Sequence, residues 1–120
     1  MIRLKEKELV WIGRSLKDLR EFPEEVMDEV GYALYQVQEG IKPRQAKSLH
    51  GFSHGVMEIV SDYDANTYRA VYTTKIGEIV YVLHCFQKKS THGISTPKRE
   101  LDLIQQRLQE AMRLNKMRGD

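Results

Sequence analysis

Hydrophobic positions along this chain change their spacing several times, and each change marks an element. Glu8-Leu9-Val10-Trp11-Ile12 is a short apolar stretch closed by Gly13, which predicts an edge or first strand. Ser15 followed by Asp18 predicts a capped start to a short helix carrying Leu16 and Leu19. Val26, Val30, Ala33, Leu34 and Val37 then recur at helical spacing, so a second helix has one apolar face. Pro23 suits its first helical position, Glu24 and Glu25 complement the positive end of its dipole, and Gly40 is its stop. The two helices form a hairpin folded at Phe22-Pro23.

From Ile41 to Gly55 periodicity fades, and Pro43, Gly51 and Gly55 predict a loop carrying Lys42, Arg44, Lys47, His50 and His54. The period then becomes two. Val56 to Asp62, Thr67 to Thr74 and Glu78 to Phe86 are rich in Val, Ile, Thr and Tyr, which predicts three consecutive antiparallel strands. After Pro97, Leu101, Ile104, Leu108, Ala111 and Met112 return to helical spacing and predict a final amphipathic helix. With no repeat, low-complexity tract or linker, residues 1–120 read as a single α+β domain.

Composition narrows the class. No apolar run approaches the roughly 20 residues that cross a bilayer, and the mixed-charge start lacks the apolar core of a secretory signal. The expectation is a soluble, cytoplasmic protein that meets no membrane. The single cysteine, Cys85, lies inside an apolar run and reads as a small buried hydrophobe. A formal net charge of +2 is too small to declare a nucleic-acid binder, so its distribution decides. From Asn66 to Arg99, Arg69, Lys75, Lys88, Lys89, Lys98 and Arg99 face one acid, Glu78, whereas Glu21 to Glu29 holds five acids and no base. The basic half is where chemistry belongs.

If Ile76-Gly77 form a two-residue hairpin loop, Arg69 stands opposite His84 and Val71 opposite Val82. Alternation then puts Lys88 on the same side as His84. The bland alternative is a partly exposed cross-strand pair beside a solvated strand end. The functional alternative is a site for an RNA phosphodiester. Cleavage by the neighbouring 2′-hydroxyl builds negative charge on phosphorus oxygens, which cations must meet. Arg69 offers a planar fork, and Lys88 and Lys89 offer point charges. His84 is the first candidate for proton transfer because histidine titrates near neutrality, with His54 and His92 in reserve. Lys47, His54, Tyr68, His92 and Lys98 complete the candidate RNA-binding set, Tyr68 as a base-stacking ring. Glu58, the one acid inside the first of the three strands, reads as a surface or packing-edge residue. His50 and His54 sit beside Gly51 and Gly55 with no completing ligand, so neither a metal nor a cofactor is expected.

Several of these segments together resemble the phage-derived branch of the RelE/HigB toxin superfamily. The carrying stretches are Thr67-Tyr68-Arg69-Ala70-Val71-Tyr72, the run from Val80 through His84-Cys85-Phe86-Gln87-Lys88-Lys89-Ser90, Thr96-Pro97, Leu19 to Val26, and Gly31-Tyr32-Ala33-Leu34-Tyr35. The resemblance implies a RelE-like α+β fold, with an N-terminal strand and helical hairpin packed on a small antiparallel sheet and a C-terminal helix. It also implies the toxin of a type II toxin–antitoxin system, an endoribonuclease that cuts mRNA on the ribosome without a metal. Its partner would be a helix-turn-helix antitoxin encoded nearby. Arg69 matches the phosphate-contacting strand arginine of such toxins, and Lys88 and Lys89 match the paired lysines of this branch. Two other readings stay open: a protein that binds RNA or ribosomes without cutting, and a module that mainly binds antitoxin.

Overall fold

The computed structural model describes residues 6–88 and 96–119. A five-stranded sheet, ordered β1-β5-β4-β3-β2, separates two layers of helix. Its strands are β1 (Glu8–Trp11), β2 (Ala46–Ser48), β3 (Met57–Tyr63), β4 (Asn66–Ile76) and β5 (Ile79–Lys88). The helices are α1 (Ser15–Leu19), α2 (Glu24–Gln38) and α3 (Lys98–Met117). The α+β expectation holds, with the N-terminal strand as an edge that runs parallel to β5 while all other pairings are antiparallel. No helix among the described residues is long and apolar enough to cross a membrane.

Each face of the sheet has its own core. Val26, Val30, Ala33, Leu34 and Val37 of α2 meet Ile59, Tyr68, Ala70, Tyr72, Val80, Val82 and Cys85. On the other face Ile104, Leu108 and Ala111 of α3 meet Val71, Tyr81, Leu83 and Phe86. Alternation along β4 and β5 thus supplies apolar side chains to both layers, as expected for strands covered on both faces. Burial in the α2-side core pushes the Cys85 thiol up to about 12, so it behaves as a packed hydrophobe.

Local details correct the sequence reading. Ser15 is not a helix cap: Arg14 takes that position without a side-chain cap bond, and the buried Ser15 hydroxyl donates to the Val82 carbonyl at 3.2 Å. The hydroxyl fastens α1 to β5 instead. Pro23 precedes α2 rather than opening it. Gly40 does end that helix: at φ +84° its amide donates to Val37, and the Ile41 amide donates to Gln36. That pair of bonds is a Schellman stop, which needs the left-handed conformation glycine adopts at no steric cost. The predicted loop from Ile41 to Gly55 contains β2, which extends the sheet beside β3 and includes Lys47.

The last hairpin also differs. Its loop is Gly77-Glu78, so Arg69 faces Phe86 and Val71 faces His84, not the expected Arg69–His84 and Val71–Val82 pairs. An extra residue in β4 between Thr73 and Ile76 is matched by an extra residue in β5, Leu83, between Val82 and His84. These two bulges cancel, and the offset from the expected register at Arg69 is two residues. A shift of two preserves the facing of every side chain, whereas a shift of one reverses it. Arg69, His84 and Lys88 therefore remain on the α3 side.

Candidate active site on the sheet

β2, β3, β4 and β5 bring Lys47, Glu58, Arg69 and Lys88 together on the α3 side of the sheet. Lys47 is the cross-strand partner of Glu58, and Glu58 of Val71, two residues from Arg69 on the same face. Glu58 Oε1 accepts a hydrogen bond from Arg69 Nη1, and Lys47 Nζ lies 3.7 Å from the same oxygen. Glu58 is 1% exposed and the Arg69 side chain 14%, whereas Lys47 projects into solvent. Among the described residues Glu58 Oε2 and Arg69 Nε are buried without a hydrogen-bond partner. Arg69 and Lys47 thus flank one carboxylate, and the charge of Lys88 is felt beside them, leaving a positive surplus. Partial burial holds the Lys88 ammonium below the usual lysine range, and the charges of Arg69 and Lys47 lower it further against the pull of Glu58.

His84 lies on this side but is closed off. It is 4% exposed, its Nε2 is 2.6 Å from Glu100 Oε1, and its Nδ1 is 2.8 Å from Arg107 Nη1. A guanidinium only donates, so Nδ1 must accept and the proton sits on Nε2, shared with Glu100. The basic lone pair of the ring is already occupied. Burial is the main cause that lowers the His84 pKa, with the Arg107 charge adding to it and the Glu100 bond opposing. Arg107 also donates to the Leu83 carbonyl at 3.2 Å, and its guanidinium passes so near Gly13 that a Cβ there would lie 2.9 Å from Nε. The ring stacks on Phe86 at 4.9 Å. His84 fastens β5 to α3 through both ring nitrogens.

The remaining candidates scatter. Tyr68 is 7% exposed on the opposite face, its ring 4.9 Å from that of Phe22, so it packs in the α2-side core. His54 stands at the far end of β4, where its carbonyl accepts from the Thr73 hydroxyl. Lys98 is exposed in the first turn of α3 and pairs with Asp102 at 2.9 Å. Lys89 and His92 lie outside the described residues.

Sequence reasoning missed Glu58, Glu100 and Arg107. Glu58 carried one available signal, an acid in the middle of an otherwise apolar stretch, between Met57 and Ile59. Glu100 and Arg107 carried another: seven residues apart, they share a face of α3.

No curated protein matches the chain. A family model described as Phage derived protein Gp49-like (DUF891) matches residues 17–109, a span from α1 through most of α3 that takes in the whole charged cluster. The chain belongs to this phage-derived Gp49-like family, a membership consistent with the toxin of a toxin–antitoxin system.

Proposed function

We propose that this protein is a RelE/HigB-type toxin that acts on mRNA at the ribosome, and that the Lys47, Arg69 and Lys88 cations hold the scissile phosphate. The observation that carries the reading is their convergence around one buried carboxylate, which fixes Arg69 while leaving positive charge unneutralised. Glu58 binds one arm of the Arg69 fork, and the outer arm is available to a phosphate oxygen. As the 2′-oxygen attacks phosphorus, its proton is released to water and the bond to the 5′-oxygen breaks. Lys88, made a stronger acid by its surroundings, donates the proton that the departing 5′-oxygen needs. The products are a 2′,3′-cyclic phosphate and a 5′-hydroxyl end, with no cofactor. The partner that restrains this activity is a helix-turn-helix antitoxin encoded beside the toxin.

A second reading, RNA binding without cleavage, is favoured by one observation: His84 has no free lone pair, and Glu58 is sealed beneath its cations. Induction in cells lacking the antitoxin separates the two. The cleavage reading expects growth arrest with 5′-hydroxyl cuts in translated messages, relieved by Arg69→Lys or Lys88→Ala in folded protein. Arrest with intact message assigns the cluster to binding alone. Undiminished arrest by both folded variants would falsify the cluster as the site.

A further inference from the structure

β4 carries cations near both of its ends. Arg69 belongs to the cluster above, and about 20 Å further along the extended strand Lys75 enters a second cleft of about 300 Å3. This cleft also takes in His54, Gly77, Asn115 and Lys116. Among the described residues that line it, none is a carboxylate.

Its donors are placed by the fold. Gly55, at φ +57°, lies where a Cβ would be 2.9 Å from Lys75 Cγ, so only glycine lets the lysine stem cross the chain there. His54 also has a positive φ, 65°, and its carbonyl is held by the Thr73 hydroxyl. Asn115 Oδ1 accepts from the hydroxyl of the buried Tyr81 at 3.3 Å, which orients the amide and leaves its NH2 to donate. A Cβ on Gly77 would lie 2.5 Å from that same Oδ1, so any side chain at the turn displaces the amide. The cleft thus joins two ammonium groups, a histidine ring and an amide donor with no acidic partner, the chemistry of an oxyanion site.

We propose that this cleft binds a second backbone phosphate of the same RNA strand, so that single-stranded RNA lies along the α3 side of the sheet between two phosphate sites. The inference rests on the reading of the Arg69 cluster as an RNA site and adds the path and the minimum length of the strand. RNA too short to reach both clefts gains nothing from Lys75, Lys116 and Asn115.

The test uses the full-length protein with 2′-O-methyl RNA, which has no attacking hydroxyl. Binding of a dinucleotide and of a single strand of about ten nucleotides is compared for wild type, Lys75→Ala/Lys116→Ala, Asn115→Asp and Arg69→Lys. Asn115→Asp keeps the acceptor for Tyr81 and replaces the donor by a negative charge. The expected result is about tenfold weaker binding of the longer RNA by the first two variants, unchanged dinucleotide binding, and a salt dependence shallower by about 0.7 in log–log slope for the phosphate lost. Arg69→Lys weakens both ligands. Unchanged affinity of the longer RNA in Lys75→Ala/Lys116→Ala, while Arg69→Lys still weakens it, overturns the second site and leaves the first intact. If neither cluster's variants alter RNA binding, both readings fall. Loss of binding to a glutamate-rich peptide with RNA binding retained reassigns the cleft to an acidic polypeptide. Should Asn115→Asp not fold, the exposed lysine pair decides alone.

Discussion

The His84 cluster and the Arg69 cluster face the same side of the sheet, and each sets a carboxylate against basic side chains. Around His84, one carboxylate and one guanidinium meet a neutral ring, and both ring nitrogens are used internally. Around Glu58, Arg69 and Lys47 meet one carboxylate with Lys88 adding a further positive charge, and Lys47 reaches solvent. The first cluster is balanced and joins two elements. The second is unbalanced and carries more positive than negative charge. Residue type alone does not separate a fastening from a site, since histidine is the more familiar proton carrier of the two. The separating quantity is whether charge and hydrogen-bonding capacity are satisfied within the fold.

Breaking the Glu58–Arg69 pair has the largest expected effect. Arg69→Ala leaves a buried carboxylate without its cation, which costs about 3–5 kcal/mol, read as a lowered denaturant midpoint. Arg69→Lys keeps the charge but loses the planar fork. It therefore stays folded while cleavage falls about 100-fold. Equal activity of the lysine variant and wild type would remove the fork from the mechanism.

The His84 cluster predicts the reverse division. His84→Ala leaves Glu100 and Arg107 facing a gap and costs about 2 kcal/mol, with cleavage per folded molecule unchanged. A large loss of rate in folded His84→Ala would return the ring to catalysis. The same cluster sets a pH dependence. His84 binds its proton less readily when folded than the 6.5 of an unfolded histidine. As the pH falls through 6.5 the unfolded chain takes up the proton first, so stability declines. The decline levels off once the pH passes below the folded value. His84→Gln, which retains one donor and one acceptor, flattens the stability curve between about pH 7 and pH 5. A wild-type curve no steeper than that variant's contradicts the neutral ring.

How far the sequence foretold these two clusters follows from the range of the interactions involved. The α2 face was legible because Val26 to Val37 repeat over several turns, and its end because the stop at Gly40 is local. β2 was not, since it is three residues long and buries only Ala46. The β4–β5 register depends on which two residues turn and on bulges that cancel across the hairpin, and nothing near Gly77 decides either. The facing of Arg69 and Lys88 survived because the discrepancy was an even number of residues. Glu58 read as a surface or packing-edge acid, and only β3 lying between β2 and β4 places it under Lys47 and Arg69. The environment of His84 was not legible because it comes from Glu100 and Arg107 of α3, more than a dozen residues further along the chain.

Lys47 gives the smallest and most discriminating effect. Its ammonium is 3.7 Å from Glu58, but its side chain is 61% exposed, so the pair contributes at most about 0.5 kcal/mol to folding. If Lys47 merely neutralises Glu58, Lys47→Ala produces that small loss of stability and no change toward RNA. If it is part of the phosphate clamp, affinity for single-stranded RNA falls a few-fold and the log–log salt slope drops by about 0.7, the signature of one lost phosphate contact. Lys47→Glu extends the series, because a second carboxylate beside Glu58 competes with the phosphate for Arg69. The clamp predicts a larger loss of RNA affinity for Lys47→Glu than for Lys47→Ala, and a loss that shrinks as salt is raised. Identical affinities for the two variants at low salt would leave Arg69 and Lys88 as the phosphate-binding pair and confine Lys47 to the surface.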